Sequence, residues 1–148
     1  MFRVLPALAA LVLATSMAGC ALSPFSAFMS PSDCMTRVMY FESNRSSADG
    51  MLAVGTVVMN RVNDPKFPHT VCGVIGQPGQ FAPGALWLPL REGRGLSLAR
   101  QMAARVLRGE RDPDVGGAEY FHTAGYTFPY DNMHYIAVKG GNAFYWKS

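Results

Sequence analysis

The chain has 148 residues, of which 49% are apolar and 16% are charged, and its formal net charge is +3. This length supports one domain with a modest core, and the composition excludes a disordered chain. The weak positive charge comes without a Lys/Arg run or an aromatic RNA-binding pattern, so we expect no nucleic acid among its partners.

Residues 1–19 have the pattern of an export signal. Arg3 is their only charged residue, and the apolar run is too short for a membrane-spanning helix. The small residues before Cys20 resemble a bacterial lipoprotein processing site, which implies that Cys20 becomes the lipidated N-terminus of the mature protein. Residues 20–31 are then the lipidated end and a tether, and the alternative is an uncleaved N-terminal anchor.

Export determines where the protein is expected to act. The pattern predicts a membrane-anchored lipoprotein that faces the periplasm or cell envelope. Ala21 follows the cysteine, and the lack of Asp there resembles lipoproteins of the outer membrane. The only membrane contact that we expect is through the lipid anchor.

Two cysteines remain once Cys20 is acylated. Cys34 and Cys72 form an even pair in an oxidising compartment, which predicts a disulfide. The alternative is two buried free thiols. A thiol peptidase is a further alternative, but none of the three histidines has a spacing that supports it.

The folded domain is predicted over residues 32–148. Ser32 and Asp33 are good N-cap residues, so a first helix is predicted from about Cys34. The spacing i, i+3, i+4, i+7 then places one set of residues on a single helix face: Met35, Val38, Met39 and Glu42.

Glu42 extends this apolar stripe at the last turn of the helix. An apolar setting and a helix C-terminus both raise the pKa of a carboxyl group. A carboxylic acid that stays protonated near neutral pH can act as a general acid. The alternative is a glutamate that bends out to water or pairs with Arg45 or Arg61.

The next segment predicts a central helix. Residues 50–62 are apolar nearly all round, and Ser46 or Ser47 can cap them. Asn60 and Arg61 end the apolar run, where they either reach a groove or serve the structure.

The rest of the chain predicts shorter elements. Residues 71–75 read as a short strand or a single turn, and residues 96–107 as a third helix. Residues 77–94 read as a long loop interrupted by Pro and Gly, of the kind that often carries function. It contains Gln80, Phe81 and Trp87, which either contact sugar rings or pin the loop to the core. Residues 118–122 and 135–138 read as short strands or further loop.

Four blocks carry a family resemblance. In chain order they read "MYFESNRSSADGMLAVGTVVMNRV", "TVCGVIGQPGQFAPG", "GGAEYFHT" and "KGGNAFYW". Together they resemble the cell wall hydrolase family of the spore-cortex-lytic enzyme SleB type. The resemblance implies a mainly α (α+β), small lysozyme-like domain around a central buried helix, with peptidoglycan as its substrate.

The resemblance also assigns roles to residues. It implies that Glu42 is the catalytic acid. It places a further set in the substrate groove: Asn60, Gln80, Phe81, His122, Asn142, Phe144 and Tyr145. Many members have Ala-Arg-Gly-Glu after the catalytic glutamate, where this chain has Ser43-Asn44-Arg45-Ser46.

The number of suitable acids bears on the reaction. Hydrolysis with two carboxylates needs a second one across the scissile bond. Glu119 is the best candidate, and the other acids lie in caps, turns or polar stretches. We therefore favour a lytic transglycosylase that cleaves between MurNAc and GlcNAc with one glutamate. The alternatives are muramidase-type hydrolysis and a non-catalytic peptidoglycan-binding lipoprotein. We expect no cofactor and no metal, because no two histidines have ligand spacing.

Overall fold

The computed structural model describes residues 28–45 and 47–148. The predicted signal peptide, Cys20 and most of the tether lie outside the described residues, as does Ser46. The elements are, in order, α1 (Pro31–Glu42), α2 (Ala48–Asn63), α3 (Val71–Ile75), α4 (Arg94–Leu107), β1 (Tyr120–Thr123), β2 (Met133–Lys139) and β3 (Asn142–Lys147). The predicted class, mainly α with a small β component, is confirmed.

Helix α1 begins earlier than predicted. Ser30 is the N-cap residue, and its hydroxyl accepts a hydrogen bond from the Asp33 backbone N–H at 3.0 Å. The Asp33 carboxylate accepts in return from the Ser30 backbone N–H at 3.4 Å, which completes a capping box. The predicted start near Cys34 was wrong because Pro31 fits the first helical turn, where it needs no hydrogen-bonded N–H.

Helix α2 is the central helix, as predicted. Ser47 caps it, with its hydroxyl 2.9 Å from the Gly50 nitrogen. Gly55 lies directly against Met39 of α1 and Val106 of α4, so its lack of a side chain lets the three helices pack closely. The largest fully buried core side chains include Met35, Met39, Met51, Val54, Val57 and Leu96.

The predicted disulfide is confirmed. Cys34 in α1 is bonded to Cys72 in α3. Residues 71–75 form a single short helix, capped by the Thr70 hydroxyl on the Gly73 nitrogen. The bond rules out free thiols at these positions, and with them the thiol-peptidase alternative.

The three strands form an antiparallel sheet in the order β1-β3-β2. Phe144 of β3 pairs with Phe121 of β1, and both belong to the face packed on the helices. Tyr145 pairs with Tyr120 on the outer face. The sequence predicts the first two strands as alternatives to loop, but it does not predict β3.

One further property concerns membranes. Within residues 28–45 and 47–148, no helix has the length and apolar character needed to cross a bilayer.

Candidate active site

Glu42 is the last residue of α1, and three elements meet there. It is half-buried. Its Oε1 accepts a hydrogen bond from the backbone N–H of Ala82, in the loop of residues 76–93. Its backbone carbonyl accepts a hydrogen bond of 2.7 Å from the Asn142 side-chain amide, at the start of β3. The first helix, the long loop and the sheet therefore fix this carboxylate jointly.

The surroundings of Glu42 favour its protonated form. Burial raises the pKa of the carboxyl group, and the Ala82 N–H lowers it by a smaller amount, so the pKa lies above its ordinary value. Among the described residues, no ion pair joins Glu42 to Arg45 or Arg61. Arg45 instead lies over the Tyr40 ring, 4.6 Å from its centroid.

Arg61 is a buried cation beside the loop. Only 3% of its surface is exposed. Its Nε donates to the Glu119 carbonyl at 2.6 Å, and its Nη1 donates to Gln80 Oε1 at 3.1 Å. Its guanidinium carbon lies about 5 Å from the centroids of three rings: Phe67, Phe81 and Tyr120. The hydrogen bonds and rings offset the cost of burying the charge.

Two of the candidate groove amides bind the protein itself. Asn60 Nδ2 donates to the carbonyls of Gly116 and Ala118, at 2.9 and 2.7 Å, and so ties α2 to the turn before β1. The Asn142 side-chain amide donates to the Glu42 carbonyl. The structure thus brings Asn142 to the acid, whereas the Asn60 amide is engaged by backbone.

The candidate aromatic residues fall on both faces of the sheet. Phe81 and Phe144 belong to the core, and Phe81 contacts Phe121 at 6.1 Å between ring centroids. His122 and Tyr145 lie on the outer face, where they line a cavity of about 110 Å³. The other residues lining this cavity are Phe128, Tyr130, Met133 and Lys147.

Several of these features are not indicated by the sequence. Ala82 acts through its backbone N–H, which leaves no mark on the residue type. Phe128 and Tyr130 lie in the loop between β1 and β2, and Lys147 is the last residue of β3. Their aromatic and charged character was the only available signal. Arg61 was expected either to reach a groove or to serve the structure, and its side chain is buried in the folded domain.

Glu119 is the other candidate carboxylate. Its side chain forms an ion pair of 3.2 Å with Lys66. Burial and a hydrogen bond with Asp64 raise the pKa of Glu119, and Lys66 lowers it, with a net rise. The pKa of Glu119 is therefore raised, like that of Glu42, but the Glu119 carboxylate is already paired with the Lys66 cation.

Six other carboxylates in the described part of the chain have structural partners. These are Asp33 in the capping box, Asp64 with Lys66, Glu92 with Arg100, Glu110 with Arg105, and Asp112 and Asp114 with Lys139. No group of three His, Cys, Asp or Glu side chains that could hold a metal ion occurs among residues 28–45 and 47–148.

Two curated proteins are similar to this chain in sequence. The spore cortex-lytic enzyme of Halalkalibacterium halodurans is 34% identical over 91 residues, which are 60% of this chain and 26% of that protein. The spore cortex-lytic enzyme of Bacillus subtilis is 29% identical over 99 residues, which are 65% of this chain and 30% of that protein. The chain therefore spans about a quarter to a third of the length of these relatives.

Two solved structures share the fold. The catalytic domain of the Bacillus cereus SleB protein aligns with a TM-score of 0.61 and 23% identity, over 78% of this chain and 89% of that one. The catalytic domain of the germination-specific lytic transglycosylase SleB from Bacillus anthracis aligns with a TM-score of 0.61 and 25% identity, over 80% and 96%. These likenesses confirm the predicted small lysozyme-like fold.

The family assignment follows from a match across most of the described domain. The domain family described as Cell Wall Hydrolase matches residues 45–145. Glu42 lies just before the matched range, so its role depends on the geometry around α1. By this match, and in agreement with the family resemblance of its four sequence blocks, the chain belongs to the cell wall hydrolase family.

Proposed function

We propose that the protein degrades peptidoglycan by cleaving its glycan strands between MurNAc and GlcNAc, as a lytic transglycosylase with Glu42 as its catalytic acid and base. The observation that carries this proposal is the half-buried carboxyl of Glu42, held at a helix end by the Ala82 N–H. The name of the similar Bacillus anthracis domain, a lytic transglycosylase, supports the reaction type.

The geometry supports one sequence of proton transfers. Because the Ala82 N–H engages Oε1, Oε2 is the oxygen that carries the proton. Oε2 gives this proton to the glycosidic oxygen as the bond from that oxygen to the muramyl C1 breaks. The resulting carboxylate then takes the proton of the muramyl 6-hydroxyl while that oxygen attacks C1. The products are an anhydromuramyl end and a free GlcNAc hydroxyl, Glu42 is protonated again, and no water is consumed.

The partners of the other acids favour this route over hydrolysis. A hydrolase of the two-carboxylate type needs a second free carboxylate across the bond. Glu119 is the best candidate, but its ion pair with Lys66 would have to break first. One acid that cycles between its two protonation states satisfies the transglycosylase reaction.

The outer face of the sheet offers surface for sugar rings. Tyr130 and Phe128 are 63% and 40% exposed, and their rings are nearly parallel with centroids 6.3 Å apart. Exposed aromatic clusters on soluble proteins mark binding surfaces, and flat rings suit the apolar faces of sugars. This surface and the cavity beside His122 and Tyr145 support the proposed peptidoglycan contact.

Product analysis tests the reaction. Purified sacculi are digested by the protein in water enriched in heavy oxygen, and the soluble fragments are measured by mass spectrometry. We expect anhydromuramyl ends that contain no heavy oxygen. Reducing muramyl ends that carry the label would establish muramidase hydrolysis instead. Binding to sacculi without any soluble product would support the non-catalytic lipoprotein.

Anchoring is a separate proposal, because Cys20 lies outside the described residues. We propose that Cys20 is lipidated and that the domain 32–148 acts in the envelope, tethered by residues 20–31. The variant Cys20→Ser should lose incorporation of labelled palmitate and accumulate as uncleaved precursor. Cys34→Ser is the matched control and should keep the label. Unchanged labelling of Cys20→Ser would contradict the anchor.

A further inference from the structure

The loop of residues 76–93 supplies a hydrogen bond to the Glu42 carboxylate, from the Ala82 N–H. The loop has no helix or strand along its length, and a turn hydrogen bond of 3.0 Å joins the Ala85 N–H to the Ala82 carbonyl. Two residues before Ala82, the Gln80 side chain accepts the hydrogen bond from Arg61 Nη1. This contact ties the loop to helix α2 next to the residue that meets the acid.

We propose that Arg61 is a positioning residue for Glu42, which acts by holding Gln80 so that the Ala82 N–H stays directed at the carboxylate. The inference rests on the proposed function only for the catalytic role of Glu42. The contacts themselves do not depend on that role.

Arg61 is suited to this task because contacts on several sides hold its side chain. It lies on the central helix and is almost fully buried, and its planar guanidinium is packed among aromatic rings. Its Nε bond to the Glu119 carbonyl fixes the plane of the group, and hence the direction in which Nη1 points. A rigid donor of this kind loses little entropy when it orders its acceptor.

The chain between the tied residue and the acid's partner is short. Only Phe81 separates Gln80 from Ala82, so the two Cα atoms are at most about 7 Å apart. Phe81 is itself buried and packs against Phe121. Because this link is short, we expect a displacement of Gln80 to displace the Ala82 N–H as well.

Several charged side chains on the elements around Glu42 have other partners. On the elements around it, Arg45 lies over Tyr40, Arg61 is bound to Gln80, and Glu92 pairs with Arg100. Tyr145 and Lys147 are the titratable residues of β3, and burial raises the pKa of Tyr145. Burial and the Ala82 N–H are the influences that act on the pKa of Glu42, and the N–H is the one that lowers it.

The first test needs no enzymatic activity. The Glu42 carboxyl of the full chain is titrated by carbon NMR in the wild type and in Gln80→Met, which removes the acceptor and keeps the side-chain length. We expect the pKa of Glu42 to rise further in the variant, because the N–H that lowers it is released. We also expect the Ala82 amide signal to lose its response to that titration. An unchanged titration with a responsive Ala82 amide would overturn the proposal.

Two other variants complete the comparison. Arg61→Lys keeps the charge but loses the planar fork, and we expect the same direction of change as in Gln80→Met. If Arg61→Lys does not fold, Gln80→Met still decides the question. Val57→Ala is the control for lost stability: Val57 is fully buried on the same helix, and its truncation should leave the Glu42 titration unchanged.

Activity gives the second readout. In Gln80→Met we expect kcat on sacculi to fall by about ten- to a hundredfold, because a misplaced acid loses much of its effect. The alkaline limb of the pH profile should move to higher pH, together with the NMR titration. Gln80 is also a candidate substrate contact, so a change confined to KM would count against the positioning role. If the wild type itself leaves sacculi intact, the proposed function fails, and the carboxyl titration still decides the role of Arg61.

Discussion

Glu42 combines an apolar setting with a main-chain partner. It is half-buried at the end of the stripe of Met35, Val38 and Met39, and burial raises the pKa of its carboxyl group. The partner of its side chain was not predictable, because a main-chain N–H is common to nearly every residue. Only the folded loop brings Ala82 to it.

The first prediction concerns turnover. Glu42→Gln keeps an oxygen that can accept from the Ala82 N–H but has no acidic proton, so the fold should survive. We expect the rate of sacculus digestion to fall by about 10²- to 10⁴-fold, the usual contribution of a general acid or base. Glu119→Gln is the matched control, and under the one-acid mechanism it should retain most of the activity. A folded Glu42→Gln protein that digests sacculi at the wild-type rate would refute the assignment.

The second prediction uses the same variant to follow stability against pH. The folded-state pKa of Glu42 is raised, so the folded state holds the proton more tightly than the unfolded chain does. In the wild type, the contribution of Glu42 to stability is therefore complete at pH values below the pKa of the unfolded state. It is lost as the pH rises from the unfolded-state pKa through the folded-state pKa.

Glutamine does not titrate. The unfolding free energy of Glu42→Gln should therefore increase relative to that of the wild type as pH rises through this window, and the difference between the two proteins should stay constant at higher pH. Urea unfolding of both proteins, from acid to neutral pH, measures the difference. A difference that is constant with pH, or that moves the other way, would mean that burial does not dominate the pKa of Glu42.

At the scale of elements, the sequence predicted the helices whose residues show a clear apolar pattern. Helix α4 was predicted because apolar residues recur at helical spacing, as in the buried Leu96, Ala99 and Ala103. Helix α2 was predicted because residues 50–62 are apolar nearly all round. The start of α1 was misplaced because several residues near it can cap a helix, and the reciprocal bonds of Ser30 and Asp33 decided among them. Local sequence alone does not rank such competing caps.

Strand β3 was missed for a different physical reason. It is the central strand, and Asn142, Ala143, Phe144 and Tyr145 are all buried. A strand covered on both faces shows no polar and apolar alternation, which is the main signal of a strand in a sequence. The candidate residues of β3 were assigned from the family resemblance, which located them without revealing that they form a strand.

The contact between helix α2 and the β2–β3 turn yields the third prediction. A Cβ on Gly50 would lie 2.7 Å from the Cα of Gly140, so backbone meets backbone there. Gly50→Ala should lower Tm despite the better helix propensity of alanine, which is worth up to about 1 kcal/mol. It should also lower activity, because the displaced turn leads into Asn142, which binds the Glu42 carbonyl.

Gly117→Ala is the matched control, since nothing lies within 4 Å of its added Cβ. Thermal unfolding by circular dichroism compares the two variants with the wild type. If Gly50→Ala melts at or above the wild-type temperature while Gly117→Ala does not differ, the close approach does not constrain the packing.

At the scale of the whole molecule, a covalent bond links the acid's helix to the loop that serves it. Cys34 lies in the first turn of α1, and Cys72 lies in α3, the element that leads into the loop of residues 76–93. The disulfide therefore fixes the start of the helix that ends at Glu42 against the start of the segment that carries Ala82.

The fourth prediction follows from that link. Replacing both cysteines, as Cys34→Ala with Cys72→Ala, should destabilise the fold by up to about 4 kcal/mol, from the entropy of the loop that the bond closes. Activity measured well below the new Tm should fall as well, since the acid and its partner are held less firmly.

Differential scanning calorimetry with and without reductant gives the stability change. The double variant serves as its own control, because reductant should alter the wild type and leave the variant unaffected. A wild-type Tm that does not respond to full reduction, with both thiols then detected by mass, would show that the bond contributes no stability.

The hydrogen bond between Asn142 and the Glu42 carbonyl has a consequence for biosynthesis. It joins residues 100 positions apart, and links the first helix to the last strand. During translation the acid emerges early, but the strand that holds it emerges 100 residues later. We expect nascent chains that stop before Asn142 to carry the glutamate without its full set of supports. A lytic activity that depends on this strand would remain dormant until the strand has been made.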